Sequence, residues 1–269
     1  MHGLARSLEL TGARVWIAED AVLGARLAAD RIAAEIPRAV AERGRAVLGL
    51  ATGGTPIRVY QRLVELHQEG KLTFREVSTY NLDEYYPISP IDPRSYRAYM
   101  DTHLFGLVDL APNRAHVLDG TVPEAFAPTH CAEFDRWIAA EGGLDLQLLG
   151  IGRNGHIGFN EPSELAVEQA LALPSRLVSL HPVTREDALK DFENDPEAVP
   201  RLALTLGTAP ILAARSILVL AFGPHKAEAV AQALLGPITA AMPASLLRSA
   251  PGRVTWILDP GAAEGLPPA

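Results

Sequence analysis

Residues 150–162, Gly150-Ile151-Gly152-Arg153-Asn154-Gly155-His156-Ile157-Gly158-Phe159-Asn160-Glu161-Pro162, collect a histidine, a carboxylate and two amides within one short segment. An imidazole beside a carboxylate can take up and release protons near neutral pH. The interspersed glycines let a backbone turn sharply and approach a ligand closely. Within the same letters, 150–155 match G-x-G-x-x-G, the dinucleotide fingerprint. That motif needs a helix to start inside it. Gly158 and Pro162 oppose a continuous helix here, so a nicotinamide site is not expected.

Three further clusters carry chemically useful groups. Thr52-Gly53-Gly54-Thr55-Pro56 is a glycine turn placed to open a helix. Its N–H groups, hydroxyls and helix dipole could hold an anion, although such a turn can also be plain punctuation. It lacks the spacing of a Walker loop. Asn81-Leu82-Asp83-Glu84-Tyr85 offers Asp83 as a base, or as a turn cap. Gly223-Pro224-His225-Lys226 puts the Lys226 ammonium at another helix start, where a surface lysine is the plainer account. Each cluster is ambiguous by itself. Together they supply an anion cradle, a base, a histidine with an acid, and a cation. That inventory suits a phosphorylated small molecule undergoing proton transfer. No metal is expected, because the eight histidines show no H-x-x-x-H spacing and a lone cysteine offers no thiolate pair. A G-x-S-x-G elbow is also missing.

Apolar runs must position these groups. Strands are expected at 46–50, 77–82, 144–151, 216–222 and 254–258. Helical patterns cover 18–43, with Pro37 a candidate break, as well as 94–105 and 128–140. A further helix carries Ile57, Tyr60, Leu63 and Val64 at helical spacing, with Pro56 at its first position and Thr55 as cap. Helices between buried strands predict a doubly wound α/β fold. Its sheet should be mostly parallel, with helices on both faces and a site at the carboxyl ends of the strands. No linker or repeat divides the chain, so a single domain over 1–269 is expected. The charged stretch 184–197 fits either a mobile lid or a solvated helix face, and the tail 261–269, with its glycines and prolines, reads as loose.

Bulk properties narrow the partners. The chain has 269 residues, is 48% hydrophobic and has a net charge of −8. It can bury a large core and has no basic excess to attract nucleic acid. Cys131, the single cysteine, permits no internal disulfide and reads as a small packed residue in a reducing compartment. The N-terminus shows no secretory h-region, and no apolar run reaches the roughly 18 residues of a membrane span. A cytoplasmic location follows as the expectation. The oligomeric state is left open.

Thr52 to Pro56, Asn81 to Tyr85, Gly150 to Pro162, Val199-Pro200-Arg201-Leu202-Ala203-Leu204-Thr205-Leu206-Gly207 and Lys226 together resemble the glucosamine-6-phosphate deaminases. The likeness runs in order from about 15 to 258, and G-H-I-G-F-N-E-P is its most specific part. It implies conversion of glucosamine 6-phosphate and water to fructose 6-phosphate and ammonia, with no cofactor. His156 would open the sugar ring, Glu161 and Asn154 would support it, and Asp83 would move a proton between C2 and C1. Thr52, Gly53, Gly54, Thr55, Lys190 and Lys226 would hold the phosphate.

The sequence departs from that pattern in places. Asn154 stands where many members carry aspartate, although a shorter subgroup has asparagine. Lys190 replaces a phosphate-binding arginine and loses its bidentate fork; it could instead lie on the solvated face of a 184–192 helix, leaving Arg185 as the next candidate. Residues 163–175 run about five longer than usual. Long-form relatives are activated by N-acetylglucosamine 6-phosphate at a second phosphate site just after F-N-E-P. Arg176 and Ser179 could stand in for two of its ligands, but Glu164 and Val178 occupy the serine and lysine positions, so no such activation is expected. Galactosamine 6-phosphate deamination is an alternative, followed by 6-phosphogluconolactonase activity. A non-catalytic sugar-phosphate sensor is a third, opposed by a first 45 residues that read as one amphipathic helix rather than a DNA-reading module.

Overall fold

The computed structural model describes residues 4–268. It opens with a hairpin, β1 (Leu4–Leu10) and β2 (Ala13–Ala18), where a single amphipathic helix is expected. Thr11 and Gly12 sit between them at φ of 51° and 82°. Positive φ at both central residues is the two-residue turn that matches strand twist. Helix α1 (Ala21–Arg43) follows, with the Asp20 side chain accepting from the Leu23 N–H at 2.8 Å. Gly44, left-handed at φ 75°, closes it. Pro37 lies inside α1 without ending it. Its ring is exposed, so water can reach the carbonyl it leaves unpaired, while Ile32, Ile36 and Ala39 hold the buried stripe.

Alternating elements come next: β3 (Ala46–Leu50), α2 (Ile57–Gln68), β4 (Val77–Asn81), β5 (Asp83–Tyr86), α3 (Tyr96–His103), β6 (Ala115–His116) and α4 (Ala127–Ala140). Then come β7 (Leu146–Gly150), α5 (Val167–Leu171), β8 (Arg176–Ser179), α6 (Pro182–Ala188), β9 (Leu202–Thr205) and α7 (Thr208–Ala213). The chain finishes with β10 (Ser216–Ala221), α8 (Ala227–Leu235) and β11 (Val254–Leu258). The main sheet has eight strands in the order β1-β2-β11-β10-β7-β3-β4-β6, and every pair except β1–β2 is parallel. Strands β3, β4 and β11 are buried at every residue, as helices on both faces require. From β3 the chain steps to β4 on one side, and later to β7 on the other. The crevice between the carboxyl ends of β3 and β7 is therefore the switch point where such sheets bind ligands.

A second sheet was not foreseen. Strands β5, β9 and β8 form an antiparallel layer past the end of β4, with Asp83 opposite Thr205. It joins the main sheet through Leu82, whose N–H donates to the Leu50 carbonyl at 2.9 Å while its own carbonyl accepts from Leu206 at 2.6 Å. A separate apolar cluster of Tyr85, Phe159, Leu180, Phe192, Val199 and Ala203 backs this layer. Cys131 packs on α4 with no exposed surface, as expected. The tail corrects the expectation of looseness. Ala262, Ala263 and Leu266 are buried, and Asp259 accepts from the Ala262 N–H at 2.8 Å; Ala269 lies outside the described residues. Residues 1–3 of the N-terminus also lie outside them. Among the described residues no helix is long and apolar enough to cross a membrane.

Candidate active site

A cavity of about 420 Å³ opens at the switch point. Its wall brings together Thr52, Gly53, Gly54, Thr55, Asp83, His156, Lys190 and Lys226, from elements far apart in sequence. Asn154 and Glu161 are not on the wall; they stand behind His156. Four expected strand ends thus converge, because parallel neighbours present their carboxyl ends to one side of a sheet.

The glycine turn leaves β3 with Gly53 at φ 102°, a conformation that disfavours any side chain. The Tyr99 hydroxyl donates to the Gly53 carbonyl at 2.7 Å and fixes the turn from α3. Pro56 is itself the cap of α2, at φ −71°, and its carbonyl accepts from Tyr60. Thr55 therefore does not cap the helix, contrary to expectation. No side chain caps α2, so its first-turn N–H groups stay open toward the cavity. Lys226 is held by a 2.8 Å bond from Nζ to the Ile151 carbonyl. Burial lowers its pKa below the usual lysine value, Asp187 partly offsets this, and the cations Arg153 and Lys190 add to the lowering.

Lys190 does reach the wall, but not from a 184–192 helix. The α-helix stops at Ala188 and Lys190 is exposed on the 3-10 turn that follows. Arg185 is committed elsewhere, donating to the carbonyls of Pro196 at 2.7 Å and Val199 at 3.2 Å. Arg58 and Thr184 are polar wall residues that the sequence reading does not single out. Arg58 is the second residue of α2, and its place just after the glycine turn was the available signal. Thr184, on α6, gave none.

The 150–162 loop is shaped around one imidazole. His156 Nδ1 lies 3.1 Å from Thr184 Oγ1 and 3.4 Å from Glu161 Oε2. Asn154 braces both partners: its Oδ1 accepts from the His156 backbone N–H at 3.2 Å and its Nδ2 donates to Glu161 Oε2 at 3.0 Å. The His181 N–H donates to Glu161 Oε1 at 3.2 Å. Burial alone would raise the Glu161 pKa; the contact with His156, helped by Thr184 and Asn154, outweighs it and holds the carboxyl down at about 2. A Cβ on Gly152 would sit 2.3 Å from the imidazole, so no larger residue fits beneath the ring. Asn160 closes the loop on the Ile157 carbonyl and ties it to the Leu206 carbonyl just past β9, both at 2.9 Å, while the Phe159 N–H donates to Thr205 Oγ1 of β9 at 3.0 Å. Arg153 points outward and clamps the loop to α6 through Asp187 at 2.8 Å and Glu186 at 2.9 Å.

Asp83 begins β5 and is 6% exposed. Burial, then the neighbouring Glu84 charge, push its pKa up to about 8. Glu84 points away from the cavity and accepts from the N–H groups of Tyr85, Tyr96 and Arg97 at 2.8–2.9 Å, tying β5 to the start of α3. Burial pulls Glu84 up to about 7 against those three donors. Gly158, at φ 55°, lets the loop cross over Asp83; a Cβ there would lie 3.5 Å from Asp83 Oδ2. The cavity thus holds a carboxyl that titrates near neutrality and an imidazole with an ionised partner, beside open backbone donors and cations.

Among the described residues no His, Cys, Asp and Glu side chains group as a metal site. The sequence profile of the family described as glucosamine-6-phosphate isomerases/6-phosphogluconolactonase matches residues 19–256. A glucosamine-6-phosphate deaminase of Halothermothrix orenii is 45% identical over 81% of this chain and 87% of its own length. One of Rhodopirellula baltica is 45% identical over 88% of this chain and 91% of its own. The structure of a monomeric glucosamine-6-phosphate deaminase superposes with a TM-score of 0.85 at 37% identity, covering 93% of this chain and 99% of that one. A 6-phosphogluconolactonase of Thermotoga maritima shares the fold alone, with a TM-score of 0.70 at 19% identity over 91% of this chain and 98% of its own. On this likeness along nearly its whole length, the chain belongs to the glucosamine-6-phosphate isomerase/6-phosphogluconolactonase family.

Proposed function

We propose that the protein is a glucosamine-6-phosphate deaminase, producing fructose 6-phosphate and ammonia in amino-sugar catabolism. The observation that carries this reading is the sharing of one cavity by Asp83, the braced His156 and the open glycine turn. The deaminase names of the relatives point the same way. The reading also places the enzyme in the cytoplasm, where a lone buried thiol such as Cys131 stays reduced.

The phosphate docks on the turn at 52–55 with Lys226 and Lys190 beside it, fixing the sugar carbons relative to Asp83. His156 Nδ1 faces Thr184 and Glu161, so Nε2 is the nitrogen left for substrate. It takes the proton of the C1 hydroxyl and returns one to the ring oxygen as the C1–O5 bond breaks. Glu161 stabilises the imidazolium formed between these steps. Asp83 as carboxylate removes the C2 proton of the open sugar, giving an enolamine, and returns a proton to C1. Water then adds at C2 and ammonia leaves, giving the ketose. A carboxyl near pH 8 is a far stronger base than a surface aspartate, as abstraction from carbon requires.

The test is ammonia release from glucosamine, galactosamine and mannosamine 6-phosphates side by side. Glucosamine 6-phosphate is expected to give the highest kcat/KM. A preference for the galactosamine compound would move the assignment to the C4 epimer, and no ammonia from any of them would overturn it.

A further inference from the structure

We propose that Arg58 supplies the forked phosphate contact of the cavity, completing a grip with Lys190 and Lys226; the inference rests on the sugar-phosphate reading above. Arg58 is the only arginine on the cavity wall among the described residues. A guanidinium can take two phosphate oxygens in one plane, whereas an ammonium offers a point charge. Lys226 already gives one donor to the Ile151 carbonyl, and Lys190 is exposed at the end of a flexible stem. Neither reproduces a fork.

The surroundings of Arg58 are those of a cation awaiting an anion. Among the described residues no carboxylate lies within ion-pair distance of it, while Arg62, one turn further along α2, engages Asp30, Glu65 and Glu69. The first turn of α2 contains no acidic residue and no side-chain cap. A positive charge there meets the positive end of the helix dipole, which is unfavourable until an anion sits between them. The wall carboxylate on α6, Asp187, is occupied by Arg153 at 2.8 Å. Arg58 is thus repelled by its own helix and left without a protein partner, at the mouth of the turn whose N–H groups face the same space. A phosphate dianion relieves all three conditions at once. The missing arginine of position 190 is in this way supplied from α2.

Arg58→Ala, Arg58→Lys and Lys190→Ala test the assignment by titration calorimetry with inorganic phosphate and with fructose 6-phosphate. Loss of a charged, forked contact should weaken both ligands by about 10- to 100-fold in Arg58→Ala. Arg58→Lys should recover only part of that loss, and Lys190→Ala should lose less than Arg58→Ala. The melting temperature of ligand-free Arg58→Ala should equal or exceed that of the parent, since a repelled cation has gone. Unchanged affinity for both ligands overturns the proposal. So does a lower melting temperature with unchanged affinity, which would make Arg58 a packing residue. Ammonia release by the parent protein is measured alongside: if it is absent while Arg58→Ala still loses phosphate, the deaminase reading falls and the Arg58 contact stands.

Discussion

Glu161 Oε2 lies 3.4 Å from Nδ1 of His156, and the Asn154 amide pins that same oxygen at 3.0 Å. The carboxylate therefore cannot swing away from the imidazole without breaking a second bond. In the proposed mechanism this pairing lets Glu161 stabilise the charged ring, and the two tasks are separate, because Asp83 comes from a different sheet. His156→Gln should impair turnover of a substrate that is mostly cyclic more than turnover of an analogue locked in the open-chain form. Glu161→Gln should show the same bias with a smaller loss. Steady-state kinetics on the two substrates checks this, and equal losses on both would refute the division of labour.

The depressed Glu161 pKa also affects the fold. A carboxyl held at about 2, below its ordinary 4.5, contributes stability that is present above pH 4.5 and is lost as pH falls toward 2. Glu161→Gln is expected to lower the melting temperature at pH 7 and to narrow its gap with the parent as the pH is taken down through that window. A gap independent of pH would contradict the pairing.

Gly152 lies beneath the ring it serves. An added Cβ would come within 2.3–2.6 Å of three imidazole atoms, and the ring is held from the other side by Thr184. Gly152→Ala should displace His156 while leaving secondary structure intact, lowering kcat by about tenfold or more through misplacement of a general acid–base group. Circular dichroism with kinetics separates this from unfolding; full activity would show that the ring has room to retreat.

Much of this arrangement is legible in the sequence, and the failures have physical reasons. The buried parallel strands are legible because burial on both faces favours apolar and β-branched residues, most clearly in β3 and β10; β4 keeps Ser78, Thr79 and Asn81 buried within it. His156, Asn154 and Glu161 were visible together because one loop carries all three. The hairpin at 4–18 was not, because β1 alternates half-buried residues with exposed Ala5, Ser7 and Glu9 and merges in pattern with the helix after it. Strand β5 escaped because Asp83 and Glu84 are poor strand formers, kept there by pairing with β9 and by the start of α3. Thr184 is 28 residues from His156, and only the fold of α6 brings the two together. Arg58 follows the glycine turn by two residues, but nothing in its residue type separates it from other exposed helical arginines; the cavity wall does.

Arg176, a candidate ligand for a second phosphate, is engaged instead. Its Nη1 donates to Asn160 Oδ1 at 2.9 Å and to the Pro174 carbonyl at 3.3 Å, bracing the 150–162 loop. Glu164, which the resemblance places at the serine position of that site, is exposed, and a carboxylate there would repel an anion. Hyperbolic kinetics, unchanged by N-acetylglucosamine 6-phosphate, are therefore expected. A sigmoidal rate curve that this compound straightens would show a regulatory site.

As the proposed base, Asp83 sets activity against stability. Its folded-state pKa of about 8 stands far above the ordinary 3.8, first through burial and then through Glu84, so the fold disfavours the ionised form that the proposed mechanism needs. The cost is absent below pH 3.8, grows as pH rises through the interval, and is complete above about 8. Asp83→Asn removes it while keeping the shape. Turnover should fall by about two to four orders of magnitude, the range for loss of a general base. Deuterium uptake from solvent at C1 or C2 should vanish with it. The same variant should melt at a higher temperature than the parent at pH 9 and at nearly the same temperature at pH 4. In the parent, kcat/KM should climb with pH and level off above about 8, as the carboxyl of the free enzyme ionises. Near-normal turnover in Asp83→Asn would remove Asp83 from the chemistry, and a melting difference that shrank as pH rose would show that Asp83 is not buried at a cost.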